Sequence, residues 1–206
     1  ARNNLAHWTG EAGDAAAARD LFAALIEDRS RVVGPDHEDT LTTRNNLAAW
    51  TGHAGGTAGA RDLFAALLED KTRVLGPDHP STLTTRGNLA EWTGQAGDAV
   101  GARDLFAALL EDHTRLLGED DPSTLRSRSN LAGWIGEAGD ASGARDMLAV
   151  LLEDRSRVMG PDHPDTLTTR SDFARWTGEA GDAAGARDMF ALLLQDRSRV
   201  LGPELP

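Results

Sequence analysis

The sequence predicts an all-α solenoid, a stack of antiparallel helical hairpins, because one motif recurs at a fixed interval. Tryptophan occurs five times, and neighbouring tryptophans are always 42 residues apart. They are Trp8, Trp50, Trp92, Trp134 and Trp176. Self-similarity at this period is typical of stacked supersecondary units, none of which buries its apolar face without a neighbour. We therefore expect these tryptophans to be structural core and any binding to occur on a surface.

One unit, residues 80–121, has the pattern of helix, turn, helix and linker. Pro80 suits the first position of a helix because it has no amide proton to leave unpaired. Gly97 favours the left-handed backbone that ends a first helix, and Asp98 can cap the second helix. In that second helix apolar residues recur at spacings of three and four, which predicts one buried face. They are Ala102, Leu105, Phe106, Leu109, Leu110, Leu116 and Leu117.

The repeat predicts a single solenoid domain over residues 1–206. Its units are a truncated repeat at 1–37 and full repeats at 38–79, 80–121, 122–163 and 164–206. Ala1 aligns with Thr43, which lies inside the first helix of the next unit, and the sequence does not begin with methionine. We therefore expect the sequence to be a fragment of a longer protein.

Charge and composition narrow the classes of partner. Acidic residues outnumber basic ones 33 to 21, and the formal charge of −12 disfavours nucleic acid and anionic membrane surfaces. The sequence has no cysteine, which excludes disulfides and thiol nucleophiles. It shows neither a signal segment nor an apolar run of about 18 residues, so we expect a cytoplasmic protein. The strong preference for Arg over Lys, with abundant Ala and Gly, suggests a bacterial source.

No motif points to catalysis or to a cofactor. The sequence contains no phosphate-binding loop and no nucleophile elbow, and adjacent acids such as Glu27 and Asp28 point apart on a helix. His37, His79 and His163 lie in linkers beside aspartates, but a transition-metal site needs several convergent ligands. We expect these histidines to cap helices, and we predict a non-enzymatic chain with no cofactor and no metal site.

Two basic columns recur with the repeat. Arg2, Arg44, Arg86, Arg128 and Arg170 form the first column. We expect their partners to be the aspartates of the column Asp62, Asp104 and Asp146, unless these arginines only extend into solvent. The second column contains Arg29, Lys71, His113, Arg155 and Arg197, and we expect it to be solvated.

The repeat text resembles that of a known family. The matching residues are Asn-Asn-Leu-Ala at 45–48, Gly55, Ala60, Phe64 and Leu-Gly-Pro-Asp-His-Pro at 75–80. They resemble the tetratricopeptide repeat (TPR) in its 42-residue form, as in kinesin light chains and many bacterial proteins. The resemblance implies a right-handed superhelix whose first helices line a concave groove. Where the family usually has tyrosine, this chain has Thr51 and its counterparts, with the tryptophan one residue earlier.

A polar stripe follows the first helices on the side opposite the apolar residues, at spacings of i, i+3, i+4, i+7 and i+11. With the groove that the resemblance implies, this stripe becomes the candidate peptide-binding site. Its residues are Asn4, Thr42, Asn45, Asn46, His53, Thr84, Asn88, Glu91, Gln95, Arg126, Asn130, Asp172 and Arg175. A carboxamide both donates and accepts, so the asparagines can pair with the backbone of an extended peptide. The alternative is that each asparagine bonds the neighbouring helix and fixes the stacking.

These observations predict a non-catalytic interaction scaffold that binds an extended peptide or a partner protein in the groove. Two alternatives stay open. The repeats can associate with each other end to end, as a structural solenoid. The family resemblance also implies a second context, in which such repeats form the ligand-sensing arm of a larger bacterial signalling ATPase.

Overall fold

The computed structural model describes residues 1–201, with side chains described through residue 196. Residues 1–201 contain ten α-helices joined by short turns and linkers. They are α1 (Arg2–Glu11), α2 (Ala15–Val32), α3 (Glu38–His53), α4 (Thr57–Leu75), α5 (Pro80–Gln95), α6 (Ala99–Leu117), α7 (Pro122–Glu137), α8 (Ala141–Met159), α9 (Pro164–Glu179) and α10 (Ala183–Leu201). None of these helices has both the length and the apolar character that a membrane span requires. Residues 202–206, which belong to the last predicted repeat, lie outside the described part.

The helices form two compact units, Ala1–Leu105 and Phe106–Pro206. In the first unit, each of the helices α1 to α4 packs against the next helix along the chain. In addition, α3 touches α5. In the second unit α7 to α10 pack in the same consecutive order, and α7 touches α9. First helices of neighbouring hairpins therefore lie side by side within each unit. This arrangement confirms the all-α solenoid of stacked antiparallel hairpins.

The turns inside the hairpins follow the sequence closely. Gly97 has a φ of 99°, a left-handed conformation that costs a glycine little and other residues much more. The carboxylate of Asp98 then accepts a hydrogen bond from the backbone N–H of Gly101 at 2.8 Å and caps α6. Pro80 occupies the first turn of α5, as its missing amide proton predicts. These local signals determine where each helix ends and the next begins.

The core is built from the apolar face of one hairpin and the first helix of the next. Ala6, Phe22 and Leu25 are buried between α1 and α2, and Leu47 and Trp50 of α3 pack against them. The same composition returns in the next hairpin, in which Leu89 and Trp92 of α5 help to cover a buried cluster. The members of that second cluster are Leu41, Ala48, Phe64 and Leu67. Each hairpin thus depends on the following one to remove its apolar face from water.

In the described part of the chain, a tryptophan ring of one first helix packs against a glycine of the preceding first helix. A Cβ added to Gly52 would overlap the ring of Trp92, and the same is true of Gly136 with Trp176. Glycine therefore allows the backbone of one first helix to approach the indole of the next. Trp176 is buried, whereas Trp92 is half-buried. Trp50 and Trp134 are half-buried as well.

Trp8 differs from the expectation that all five tryptophans are core. Its side chain is 66% exposed. Trp50 is covered because its ring lies on Gly10 of the preceding first helix.

Replacing Gly52 by alanine tests the close approach of ring and helix. We expect Gly52→Ala to lower the free energy of unfolding by about 1–3 kcal/mol, because its Cβ would displace the Trp92 ring. The matched control is Gly59→Ala on α4, whose Cβ would make an ordinary contact 3.5 Å from Thr51 Cγ2. There we expect a gain of about 0.5–1 kcal/mol, from the higher helix propensity of alanine. Urea unfolding followed by circular dichroism measures both, and equal effects would contradict this packing.

Candidate functional site

Carboxamides of neighbouring first helices meet in the first unit. Asn46 Nδ2 on α3 donates a hydrogen bond to Asn3 Oδ1 on α1 at 3.5 Å, and Asn88 Nδ2 on α5 donates to Asn45 Oδ1 at 3.3 Å. The alternative considered from the sequence, that asparagines bond the neighbouring helix, therefore describes Asn46 and Asn88. Both bonds are long, and each engages one amide proton and one lone pair. A carboxamide has two amide protons and two oxygen lone pairs, so each of these side chains can make further hydrogen bonds.

The other stripe residues of the first unit lie on the same first helices as these carboxamides. Those that are exposed are Asn4, Thr42, His53, Thr84 and Gln95, while Glu91 is half-buried. Gln95 Nε2 donates to Glu91 Oε1 at 3.1 Å one turn along α5. Thr84 donates to the backbone carbonyl of Pro80 at 2.9 Å, so its hydroxyl proton is already used inside the helix.

Aromatic and imidazole rings alternate in a row across α1, α3 and α5. From one end to the other the row contains Trp8, His7, Trp50, His53 and Trp92. Successive ring centroids are 5.3, 6.2, 5.3 and 5.4 Å apart, and every pair meets edge to face. Both imidazoles are exposed. We call this set the ring row; it offers amphipathic rings, which are common at binding surfaces.

The stripe of the second unit carries charge. The guanidinium of Arg175 lies 4.2 Å from the ring centre of Trp176 and 3.3 Å from Glu137 Oε1. Asp172 is half-buried, and burial raises the pKa of its carboxyl, against the opposing charges of Arg175 and Arg155. Two further predicted site residues, Arg126 and Asn130, are exposed on α7.

Lys71 and Arg155 are buried cations that each link one hairpin to the next, and the sequence does not predict their burial. The Lys71 ammonium donates to Thr85 Oγ1 at 2.9 Å, and the Arg155 guanidinium donates to Thr169 Oγ1 at 2.6 Å. Both side chains are buried, and burial lowers the pKa of each. The expectation that this column is solvated is therefore wrong for Lys71 and Arg155. Each cation joins a second helix to the first turns of the following first helix.

The sequence does contain a signal for this buried column. Phe64, Leu67 and Lys71 follow each other at the three- and four-residue spacing of the buried stripe of α4. A hydroxyl residue also follows the basic residue by 14 positions in every described case, including His113, whose Nδ1 lies 2.8 Å from Ser127 Oγ. Arg197, the last member of the column, lies outside the described side chains.

The first basic column forms ion networks, but with partners other than those expected. Arg44 pairs with Asp70 at 2.8 Å, and Asp70 also accepts from Arg73, which bonds Asp36 of the preceding linker with two nitrogens. Hydrogen bonds from Arg73 lower the pKa of both Asp36 and Asp70, and Arg44 adds to the effect at Asp70. The second unit repeats this network with Arg128, Asp154, Arg157 and Asp120. The expected partners Asp62, Asp104 and Asp146 instead pair with the arginines directly before them.

The linker histidines cap helices, as their position predicts. Nδ1 of His37 accepts a hydrogen bond from the backbone N–H of Asp39 at 3.2 Å, and His79 and His163 make the same contact two residues ahead. Asp121 takes this position before α7 and accepts from the N–H of Ser123 at 2.7 Å. Within the described residues, no three His, Asp or Glu side chains are placed to hold a metal ion.

Comparison with known proteins identifies the class. The tetratricopeptide repeat family matches residues 1–70 through one of its sequence profiles. A second profile, also of the tetratricopeptide repeat, matches residues 82–123, 124–165 and 166–204. The chain therefore belongs to the tetratricopeptide repeat family. A search of curated protein sequences finds no match.

Solved structures share this fold over nearly the whole chain. A Podosopora anserina putative kinesin light chain with nearly identical TPR-like repeats is 20% identical, with a TM-score of 0.83 over 96% of this chain and 94% of that one. BtubC from P. vanneervenii is 20% identical, with a TM-score of 0.79 over 98% of this chain and 80% of that one. PlcR of Bacillus thuringiensis, crystallised with the peptide PapR7 and DNA, is 11% identical, with a TM-score of 0.69 over 98% and 70%.

The pH dependence of stability tests the ion network around Asp70. Its pKa is lowered in the folded chain, so its contribution to stability is present above the unfolded value of about 4 and is lost as the pH falls through the folded value. We expect Asp70→Asn to lower the unfolding temperature at pH 7 by about 1–4 °C. As the pH approaches 2, the unfolding temperatures of the variant and the parent chain are expected to converge.

The matched control is Asp62→Asn, because in the described part of the chain Asp62 pairs with Arg61, the residue before it on its own helix. We expect this variant to follow the parent chain across the same pH range. Calorimetry at several pH values measures both variants. Parallel behaviour of Asp70→Asn and the parent chain would show that the network contributes nothing.

Proposed function

We propose that the chain is a non-catalytic scaffold whose first-helix surfaces bind an extended segment of a partner protein. The observation that carries this proposal is the row of half-bonded carboxamides beside the ring row in the first unit. Asn46 and Asn88 each use one amide proton toward the neighbouring helix. Their remaining donors and acceptors are of the type that pairs with peptide N–H and C=O groups.

The first unit suits the backbone and apolar side chains of such a segment. Carboxamides recognise backbone groups whatever the side chains are. The half-buried rings of Trp50 and Trp92, with the exposed His53 between them, offer contact area for aromatic or aliphatic side chains of the partner. Aromatic residues are enriched at interfaces for this reason, and the surrounding polar groups set orientation.

The second unit suits charged side chains. Arg126 is exposed on α7, and Arg175 is held in place on α9 by the ring of Trp176 and by Glu137. A preorganised guanidinium binds a carboxylate well, because little side-chain freedom is lost on binding. Taken by itself, this unit therefore suits a segment with acidic side chains, and the first unit by itself suits a segment with neutral ones.

Similar structures support a peptide as the ligand. PlcR, which shares the fold, was crystallised with the peptide PapR7.

A peptide selection tests the scaffold proposal. A displayed library of random 12-residue peptides is selected against the chain, and binders are measured by calorimetry. The combined variant Asn46→Ala, Asn88→Ala, Asn130→Ala is expected to weaken binding by at least about 10-fold, close to 1.4 kcal/mol, as each lost carboxamide leaves peptide groups unpaired.

The control changes exposed residues of the second helices, in the combined variant Asp62→Ala, Asp104→Ala, Asp146→Ala. We expect it to bind selected peptides as the parent chain does, and circular dichroism checks that both variants remain folded. Binders that are insensitive to the asparagines and lost with the aspartates would place the binding surface elsewhere.

A further inference from the structure

The second unit holds one of its own guanidinium groups between an indole and a carboxylate. Cζ of Arg175 lies 4.2 Å from the ring centre of Trp176, and its Nη1 donates to Oε1 of Glu137, on the preceding first helix, at 3.3 Å. The electron-rich face of the ring attracts the cation, and the carboxylate accepts a charge-assisted hydrogen bond. Trp176 is only 5% exposed. These three groups show how this repeat binds an arginine side chain.

The first unit contains two of these three groups in the same places. Trp50 and Glu11 stand three repeats before the tryptophan and the glutamate just described. Glu11 is the last residue of α1, as Glu137 is the last residue of α7. In both units the indole packs against the glycine directly before that glutamate, and Cη2 is the ring atom nearest to a Cβ added to the glycine. The indole therefore has the same position relative to the glutamate backbone in both units.

The guanidinium is the group that the first unit lacks. Ala49 takes the position of the arginine, and its side chain is a single methyl group. Trp50 is half-buried, and in the described part of the chain no arginine or lysine lies over its ring. Its described ring neighbours are the exposed imidazoles of His7 and His53, at 6.2 and 5.3 Å. An indole and a carboxylate are thus placed for a guanidinium that this unit does not supply.

The position of Glu11 favours a cation as its partner. Glu11 is exposed, and its carboxylate has no hydrogen bond or ion pair among the described residues. A carboxylate in the last turn of a helix lies beside backbone carbonyls that carry the negative end of the helix dipole. No basic residue shares the last turn of α1. A cation that binds at Glu11 therefore interacts favourably with the carboxylate and with the helix end.

We propose that Trp50 and Glu11 form a site for one arginine side chain of the partner segment. The guanidinium lies on the indole and donates to the Glu11 carboxylate, as Arg175 does in its own unit. A guanidinium suits this site better than an ammonium, because it is planar, stacks on aromatic rings and keeps N–H groups at its edge for the carboxylate. This inference rests on the proposed function and refines it at one position: the segment that the first unit binds carries an arginine among otherwise neutral side chains.

Titration of the chain with two matched heptapeptides tests this site. Both peptides are blocked at their ends and contain serine on either side of the central residue. That residue is arginine in one peptide and, in the other, citrulline, which has nearly the same shape but no charge. Binding is followed by NMR through the indole N–H resonance of Trp50. We expect the citrulline peptide to bind at least about 3-fold more weakly, as the loss of an exposed cation–π contact and ion pair predicts.

Variants of the first unit test which groups form the site. Glu11→Gln removes the negative charge, and Ala49→Arg places a guanidinium of the chain itself over the ring. Each is expected to weaken binding of the arginine peptide by at least about 3-fold. The matched control Glu27→Gln makes the same change of charge at an exposed residue of α2 and is expected to bind as the parent chain does. Circular dichroism checks that every variant is folded.

A variant of the second unit provides the reverse experiment. Arg175→Ala removes the bound guanidinium from Trp176 and Glu137. We expect this variant to gain a second site for the arginine peptide, which appears as a shift of the Trp176 indole resonance that the parent chain does not show.

Four results would overturn the inference. They are a parent chain that does not bind the arginine peptide at millimolar concentration, equal binding of the citrulline peptide, first-unit variants that bind like the parent, and a Trp176 resonance that stays unmoved in Arg175→Ala. The combined asparagine variant tests the proposed function separately, because it leaves Glu11 and Ala49 unchanged. Selected peptides that are lost with the asparagines but indifferent to Glu11→Gln would contradict this inference alone.

Discussion

The contact between a tryptophan ring and a helical glycine of the preceding hairpin is the constraint on which the other interactions depend. Glycine inside a helix costs about 1 kcal/mol relative to alanine. Close packing of the indole on the helix backbone offsets that cost, as at Gly52 with Trp92 and at Gly136 with Trp176. The contact sets the distance between neighbouring first helices, and with it the register in which hairpins stack.

The hydrogen bonds between neighbouring hairpins depend on that register. With the first helices close together, Asn88 reaches Asn45. With the second helix held against the next first turns, the ammonium of Lys71 reaches Thr85. A displaced hairpin would leave a buried cation without its hydroxyl partner, which costs more than a surface ion pair contributes. The buried cations thus favour one register, while the tryptophans and leucines supply most of the burial.

Much of the fold could be predicted from the sequence, because its determinants are local or periodic. The period of the tryptophans, Pro80 at the start of a helix, Gly97 in a left-handed turn and His79 as a cap all act within a few residues. A resemblance to the tetratricopeptide repeat covered the whole chain and agreed with these signals. The order of the helices and the fold class could therefore be predicted from the sequence alone.

The site could be predicted only in part, because its contacts cross between helices. A repeat shows that two columns recur, but not which of several aspartate columns lies within reach of Arg44, and the structure selects Asp70 over Asp62. The charge of Lys71 predicts a solvated side chain, whereas its position on the buried stripe of Phe64 favours the burial that the structure shows. Whether Asn46 faces a ligand or a neighbouring helix depends on a distance between helices that no local pattern contains.

A double-mutant cycle on Gly52 and Trp92 tests the ring-on-glycine contact most directly. The free energy of unfolding is measured for the parent chain, Gly52→Ala, Trp92→Leu and the double variant. If the Trp92 ring is what the new Cβ displaces, Gly52→Ala loses most of its cost once Trp92 is leucine, with a coupling of about 1 kcal/mol or more. An equal cost of Gly52→Ala in both backgrounds would show that ring and glycine do not depend on each other.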